Sequence, residues 1–144
     1  MDEETDGSGF QADERRRQME RMSADRFICD LIGIRLTEVG KGKATAELTL
    51  APTHLNGLGI CQGGVLFSIA DYALAAAFNY AKEPVVSQDV SISYCKSTKS
   101  GKIIAKATET VRTRSTTLGD VVVTNEKGVV LAHVRGRGYI LRAE

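Results

Sequence analysis

Hydrophobic positions change their spacing along the chain, and each change predicts an element. Between about Gln11 and Leu31, Met19, Met22, Phe27, Ile28 and Leu31 fall roughly on one stripe with Arg and Glu elsewhere, which predicts an amphipathic helix. From Gly33 to Leu50 the spacing drops to two. Ile34 and Leu36 alternate before a Gly40-Lys41-Gly42 turn, and Ala44, Ala46, Leu48 and Leu50 alternate after it, so two strands are predicted, the second ended by Pro52. A loop, His54 to Ile60, carries Asn56-Gly57 and Gly59. From Gln62 to about Lys82 no polar face remains: Val65, Leu66, Phe67, Ile69, Ala70, Tyr72, Ala73, Leu74, Ala76, Ala77 and Phe78 cover nearly every helical angle. A helix apolar all round is buried all round, and Pro84 marks its limit.

Four more strands are predicted. Val86, Val90, Ile92 and Tyr94 share one face of the first, with Ser87, Asp89, Ser91 and Ser93 on the other. Lys102 to Arg112 is the second and Thr116 to Thr124 the third. Asn125-Glu126-Lys127-Gly128 turns the chain into the fourth, Val129 to Leu141. Strands in hairpin succession with segregated helices define an α+β fold with an antiparallel sheet. One sheet can wrap most of an all-apolar helix but not all of it, so at least a dimer is expected.

Composition narrows the class. The chain has 144 residues, 42% of them hydrophobic and 26% charged, the balance of one ordinary globular domain. Residues 1–10, acidic and Gly/Ser-bearing, predict a disordered tail ahead of a single domain over 11–144. The net charge of +1 creates no global field for a nucleic acid or an anionic membrane. Arg15-Arg16-Arg17, beside Asp13, Glu14 and Glu20, reads as a solvated helix face. The acidic N-terminus does not resemble a signal peptide, and the longest apolar run holds Asp71 and is too short to span a bilayer. Three cysteines, Cys29, Cys61 and Cys95, form no C-x-x-C pair and suit a reducing cytoplasm. His54, expected to be exposed in its loop, and His133, expected on a strand, have no metal-ligand spacing. Neither a metal nor a cofactor is expected.

One stretch carries chemistry: NGLGICQGGVLFSIAD, residues 56–71, with a carboxylate inside the most apolar helix. Aspartate is a poor mid-helix residue, and a buried ionised carboxylate must be compensated or its pKa rises. The layout and this stretch resemble the hotdog-fold acyl-CoA thioesterases of the phenylacetic-acid-degradation type. That signature runs Asn, then His-Gly-Gly at the helix start, then an acid two turns in. Asn56, Gly63, Gly64 and Asp71 stand in register with it, and VSQDVSISY resembles the family's first strand after the helix, whose early serine is Ser87 here. The resemblance covers about residues 20–141. One position departs from it: the usual His before Gly-Gly is Gln62.

The resemblance implies a curved antiparallel sheet around one long helix, an acyl-CoA substrate, and a site in which Asp71 acts as general base or nucleophile and the Gly63 N–H polarises the thioester carbonyl. Asn56 would orient water or substrate, or serve only an Asn-Gly turn; Ser87 would hold the water or the Asp71 carboxylate, or be a plain strand serine. Gln62 and Gly64 would border the substrate. Arg114 with Ser115, between the second and third post-helix strands, are candidates for the coenzyme A phosphates. Cys61 reads as packing rather than nucleophile, with no His placed to activate it. At ~1.5 Å rise per residue Gly63 and Asp71 lie roughly 12 Å apart along the helix axis. Joint action therefore requires Gly63 from one subunit and Asp71 from another, in a homodimer or a dimer-of-dimers tetramer. The alternative is a non-catalytic acyl-CoA-binding or regulatory module, to which Gln62 gives most support. A hydratase, which would need a well-placed His beside an acid, is disfavoured.

Overall fold

The computed structural model describes residues 2–142, with side chains from residue 12 onward. Helix α1 runs Asp2–Ser23 and helix α2 Gly63–Phe78; strands are β1 (Arg35–Gly40), β2 (Lys43–Thr49), β3 (Val85–Tyr94), β4 (Lys102–Arg112), β5 (Thr116–Asn125) and β6 (Val130–Ile140). The six strands form one antiparallel sheet in the order β1-β2-β4-β5-β6-β3, so β3 is an edge strand. Helix α2 lies across the inner face of the sheet, with Ile69, Ala70, Ala73, Leu74, Ala76 and Ala77 fully buried against inward residues such as Ala46, Ile103, Ala105, Val121 and Val134. The sheet takes the helix closely at one paired position, Gly119 opposite Gly136. A Cβ at Gly136 would run into a Leu74 methyl, and one at Gly119 would lie 2.7 Å from the Thr108 carbonyl and 2.9 Å from Leu74 and Phe78.

The N-terminal element differs from expectation at both ends. Its backbone is helical from Asp2, across the segment read as a disordered tail. The single helix expected through Leu31 stops at Ser23, and one turn of π-type helix, Phe27–Ile32, follows. The Asp25 carboxylate accepts from the Ile28 N–H at 3.0 Å and starts this turn; Gly33, at φ 93°, ends it. The stripe is split as a result: Met22 and Ile28 are buried, while Phe27 and Leu31 are exposed.

Helix α1 and the turn after it pack on part of the surface of α2 that the sheet leaves open. Buried Gln18 donates through Nε2 to the carbonyls of Gly40 (3.0 Å) and Ala76 (2.7 Å), and the Tyr72 hydroxyl donates to Met22 O at 2.8 Å. Arg21 donates to the Asn79 side chain and to Ala81 O and Lys82 O, placing a cation at the negative end of α2. Helix α2 also ends before the expected Lys82. Asn79 terminates it by donating Nδ2 to Ala75 O (2.8 Å) and exchanging hydrogen bonds with the Val85 backbone. What stays half-buried on α2 is a narrow stripe, Val65, Ser68, Asp71 and Ala75, with Phe67 beside it. No helix among the described residues is long and apolar enough to cross a membrane.

Candidate active site

The polar residues of residues 56–71 fall into two groups at different heights on α2. The first surrounds the helix N-terminus. Gln62 is the N-cap, extended at φ −61° and ψ 133°, and its Oε1 accepts from the Gly64 N–H. Val65 N–H donates to Gln62 O at 2.9 Å and Leu66 N–H to the same carbonyl at 3.4 Å. Of the four first-turn amides that lack an intrahelical acceptor, only Gly63 N–H has no partner among the described residues. Gly63 is one of the residues lining a cavity of about 280 Å³, with Asn56, Cys61, Leu66, Tyr94 and Lys96 among the others.

The loop before the helix is rigidly tied. Asn56 Oδ1 accepts from Leu58 N–H (2.9 Å) and Ile60 N–H (3.3 Å), so the oxygen fills the turn role, and Asn56 is one of the residues lining the cavity. His54 is half-buried rather than exposed. Its Nε2 donates to Ile32 O at 2.8 Å, its Nδ1 accepts from Ala51 N–H at 2.9 Å, and its carbonyl accepts from Gln62 N–H at 2.9 Å. Both ring nitrogens are therefore spent on holding the loop. Cys61 is buried, and burial pushes its thiol up to about 11, the wrong direction for a nucleophile.

The second group is Asp71 with Ser87. The Ser87 hydroxyl donates to Asp71 Oδ1 at 3.1 Å. Partial burial raises the Asp71 pKa above the usual carboxylate value; the Ser87 hydrogen bond works against that, and the charge of Asp25 adds to it. Strict alternation would put Ser87 on the face of β3 opposite Val90, Ile92 and Tyr94. The register between β3 and β6 shifts between Ser87 and Asp89, and this bulge reverses the facing. Val85 and Ser87 therefore face the helix before the bulge, and Val90 and Ile92 pack against the core after it, while Val86, expected on one face with Val90 and Ile92, is exposed.

The sequence did not single out Tyr94. Its hydroxyl donates to Gly63 O at 3.2 Å, and a Cβ on Gly63 would come within 3.2 Å of the ring. Strand β3 thus joins the two groups, touching Asp71 through Ser87 and Gly63 through Tyr94. Arg114 and Ser115 are not brought to either. They lie exposed in the β4–β5 turn, beyond Arg112, whose guanidinium donates to Phe78 O at 3.2 Å at the far end of α2. That end is roughly 22 Å along the axis from Gly63. Of the other late-strand arginines, Arg135 pairs with Asp120 (3.3 Å) and Arg137 with Asp89 (2.7 Å). His133 sits on β6, 3.6 Å from Asp120. No cluster of metal ligands occurs among the described residues.

A curved antiparallel sheet holding one long central helix is the hotdog fold. A family profile described as the thioesterase superfamily matches residues 58–132, about half of the chain, and the chain belongs to that family of thioester hydrolases. A protein of Archaeoglobus fulgidus named "Putative esterase" is 32% identical over 111 residues, 76% of this chain and 72% of its own. The acyl-coenzyme A thioesterase PaaI of Escherichia coli is 30% identical over 110 residues, 75% of this chain and 78% of its own. The solved structure of the Escherichia coli PaaI protein from the phenylacetic acid degradation operon superposes with a TM-score of 0.85, covering 90% of this chain and 95% of that one at 24% identity.

Proposed function

We propose that this protein hydrolyses acyl-CoA thioesters to a free acid and coenzyme A. The observation that carries the reading is the pairing of one unpartnered helix N-terminal amide, Gly63 N–H, with a half-buried carboxylate, Asp71, held by Ser87. The thioester carbonyl oxygen accepts from Gly63 N–H, aided by the positive end of the α2 dipole. Asp71 takes a proton from water as the water oxygen attacks the carbonyl carbon. Alternatively, its carboxylate attacks directly and water opens the resulting mixed anhydride. The C–S bond breaks and the sulfur leaves as thiolate. With an ordinary thiol pKa of about 8.5, that thiolate needs no dedicated acid, so Gln62 in place of a histidine does not stop the reaction. Asn56 Nδ2 orients the substrate or the water on the Gly63 side.

We infer that the working unit is a homodimer or a dimer of dimers with shared sites. Gly63 and Asp71 are roughly 12 Å apart along one helix, too far for one carbonyl. The uncovered stripe of α2 runs through Asp71, and β3, which carries Ser87 and Tyr94, is one of the two edge strands of the sheet. An edge strand invites pairing, and a two-fold pairing there would set each Gly63 near the partner's acid. In that assembly Arg114 and Ser115 would meet the coenzyme A phosphates of a site completed by the other chain, with Gly64 bordering the acyl thioester. The free thiols of Cys29, Cys61 and Cys95 support a cytoplasmic location.

The test is thiol release, followed with a chromogenic disulfide, from short, long and aromatic acyl-CoAs. Turnover on at least one of them is expected. Tight binding without turnover on all of them would favour the acyl-CoA-binding module instead.

A further inference from the structure

We propose that Gln62 is a positioning residue of this site. Its side chain caps the first turn of α2 so that Gly63 offers the single free amide to the substrate carbonyl oxygen. This rests on the acyl-CoA reading above and adds a role for the position at which the chain departs from the family pattern.

A helix start ordinarily leaves four N–H groups free. Here the Gln62 N–H is held by the His54 carbonyl, Val65 turns back to the Gln62 carbonyl, and Gly64 is taken by the Gln62 side chain. Without that cap, Gly64 N–H would stand free beside Gly63 N–H. An oxyanion could then settle between two adjacent donors, off the line of attack from the acid. The two glycines have separate reasons to be glycine. A Cβ on Gly63 would meet the Tyr94 ring at 3.2 Å, whereas a Cβ on Gly64 would meet Gln62 Oε1 at 3.0 Å. Gly64 is thus the residue that lets the cap close. Common N-caps are Ser, Thr, Asp and Asn; the longer Gln reaches round to the same amide and stays neutral. A histidine there would change charge between about pH 5 and 8, and a carboxylate would place a negative charge beside the developing oxyanion. Gln62 is exposed and its backbone N–H is held by His54, so its side chain can be changed without disturbing the loop.

The experiment compares wild type, Gln62→Ala, Gln62→Asn and Gln62→Glu in full-length protein, by kcat and KM for thiol release and by amide exchange of Gly63 and Gly64. Gln62→Ala should lower kcat about tenfold or more, leave KM within about threefold, and speed exchange at Gly64. Gln62→Asn, which restores a short neutral cap, should recover most of kcat and the Gly64 protection. Gln62→Glu should keep Gly64 protected yet lower kcat, separating charge from capping. An unchanged kcat in Gln62→Ala, with only a lower melting temperature, would reduce Gln62 to a plain helix cap and overturn the inference. A wild type that releases no thiol from any acyl-CoA would instead remove the acyl-CoA reading, and this role with it.

Discussion

Gly63→Ala separates catalysis from folding. The backbone at Gly63 is not in the left-handed region, so alanine meets no conformational barrier. The added methyl would lie 3.2 Å from Tyr94 Cζ and Oη and 3.3 Å from Cε1, closer than the ordinary 3.5–4.0 Å separation of non-bonded carbons. Tyr94 is 56% exposed and can swing away. Doing so gives up its hydrogen bond to Gly63 O, worth about 0.5–1.5 kcal/mol. Replacing glycine by alanine in a helix returns roughly 0.5–1 kcal/mol, so the net change in stability should stay within about 1 kcal/mol. The rate should behave differently, because the methyl and the displaced ring crowd the one free amide. Losing an oxyanion donor costs about 10²–10³-fold, so kcat should fall about 100-fold, or about 2.7 kcal/mol in the barrier. Thermal denaturation and thiol release on the same preparation give both numbers. A Gly63→Ala protein with kcat within threefold of wild type would refute the argument that the carbonyl docks at this amide.

Ser87→Ala removes the hydrogen bond that lowers the Asp71 pKa, so the acid limb of the kcat profile should move to higher pH; a limb that stays put would mean Ser87 does not tune the base. Gln62→His, which restores the usual residue, should change kcat by no more than about tenfold, or ~1.4 kcal/mol; a gain of orders of magnitude over a silent wild type would mark the native chain as a binding module. Inactive Asp71→Asn and inactive Asn56→Ala chains, co-refolded, should regain partial activity, since one site of a hybrid dimer draws Asp71 and Asn56 from intact copies; proven hybrids without activity would speak against shared sites.

The sequence was most legible where one signal ruled a segment. Alternation located β2, whose Ala44, Ala46 and Leu48 are all buried, and the unbroken apolar run located α2 with Asp71 as its exception. It was least legible where a single residue changed the phase. The bulge after Ser87 adds a residue to β3, and a one-residue slip exchanges the faces of a strand. Ser87 was therefore placed beside the acid by resemblance alone, and Val86 was assigned to the wrong face. Tyr94 shares a face with Val90 and Ile92 in the sequence pattern, and nothing in its spacing tells that its hydroxyl reaches Gly63 O. Long-range polar contacts were equally silent. Gln18 lies in a stretch that reads as a solvated helix, yet it is buried and bonded to carbonyls of β1 and α2. The Asn79 cap and the Asp25 turn, short-range signals that the apolar pattern overrode, account for the two misplaced helix ends.

The central claim is that Asp71 is the base or nucleophile of a thioester hydrolase, and Asp71→Asn tests it most directly. Because the folded-state pKa is raised, the ionised carboxylate costs stability at neutral pH, and that cost disappears as pH falls below the ordinary carboxylate value. Asn should therefore fold at least as stably as Asp at neutral pH, with the difference shrinking in acid. On the best acyl-CoA, kcat for thiol release by this well-folded variant should drop about 10²–10⁴-fold. A folded Asp71→Asn protein with near-native turnover would contradict the account.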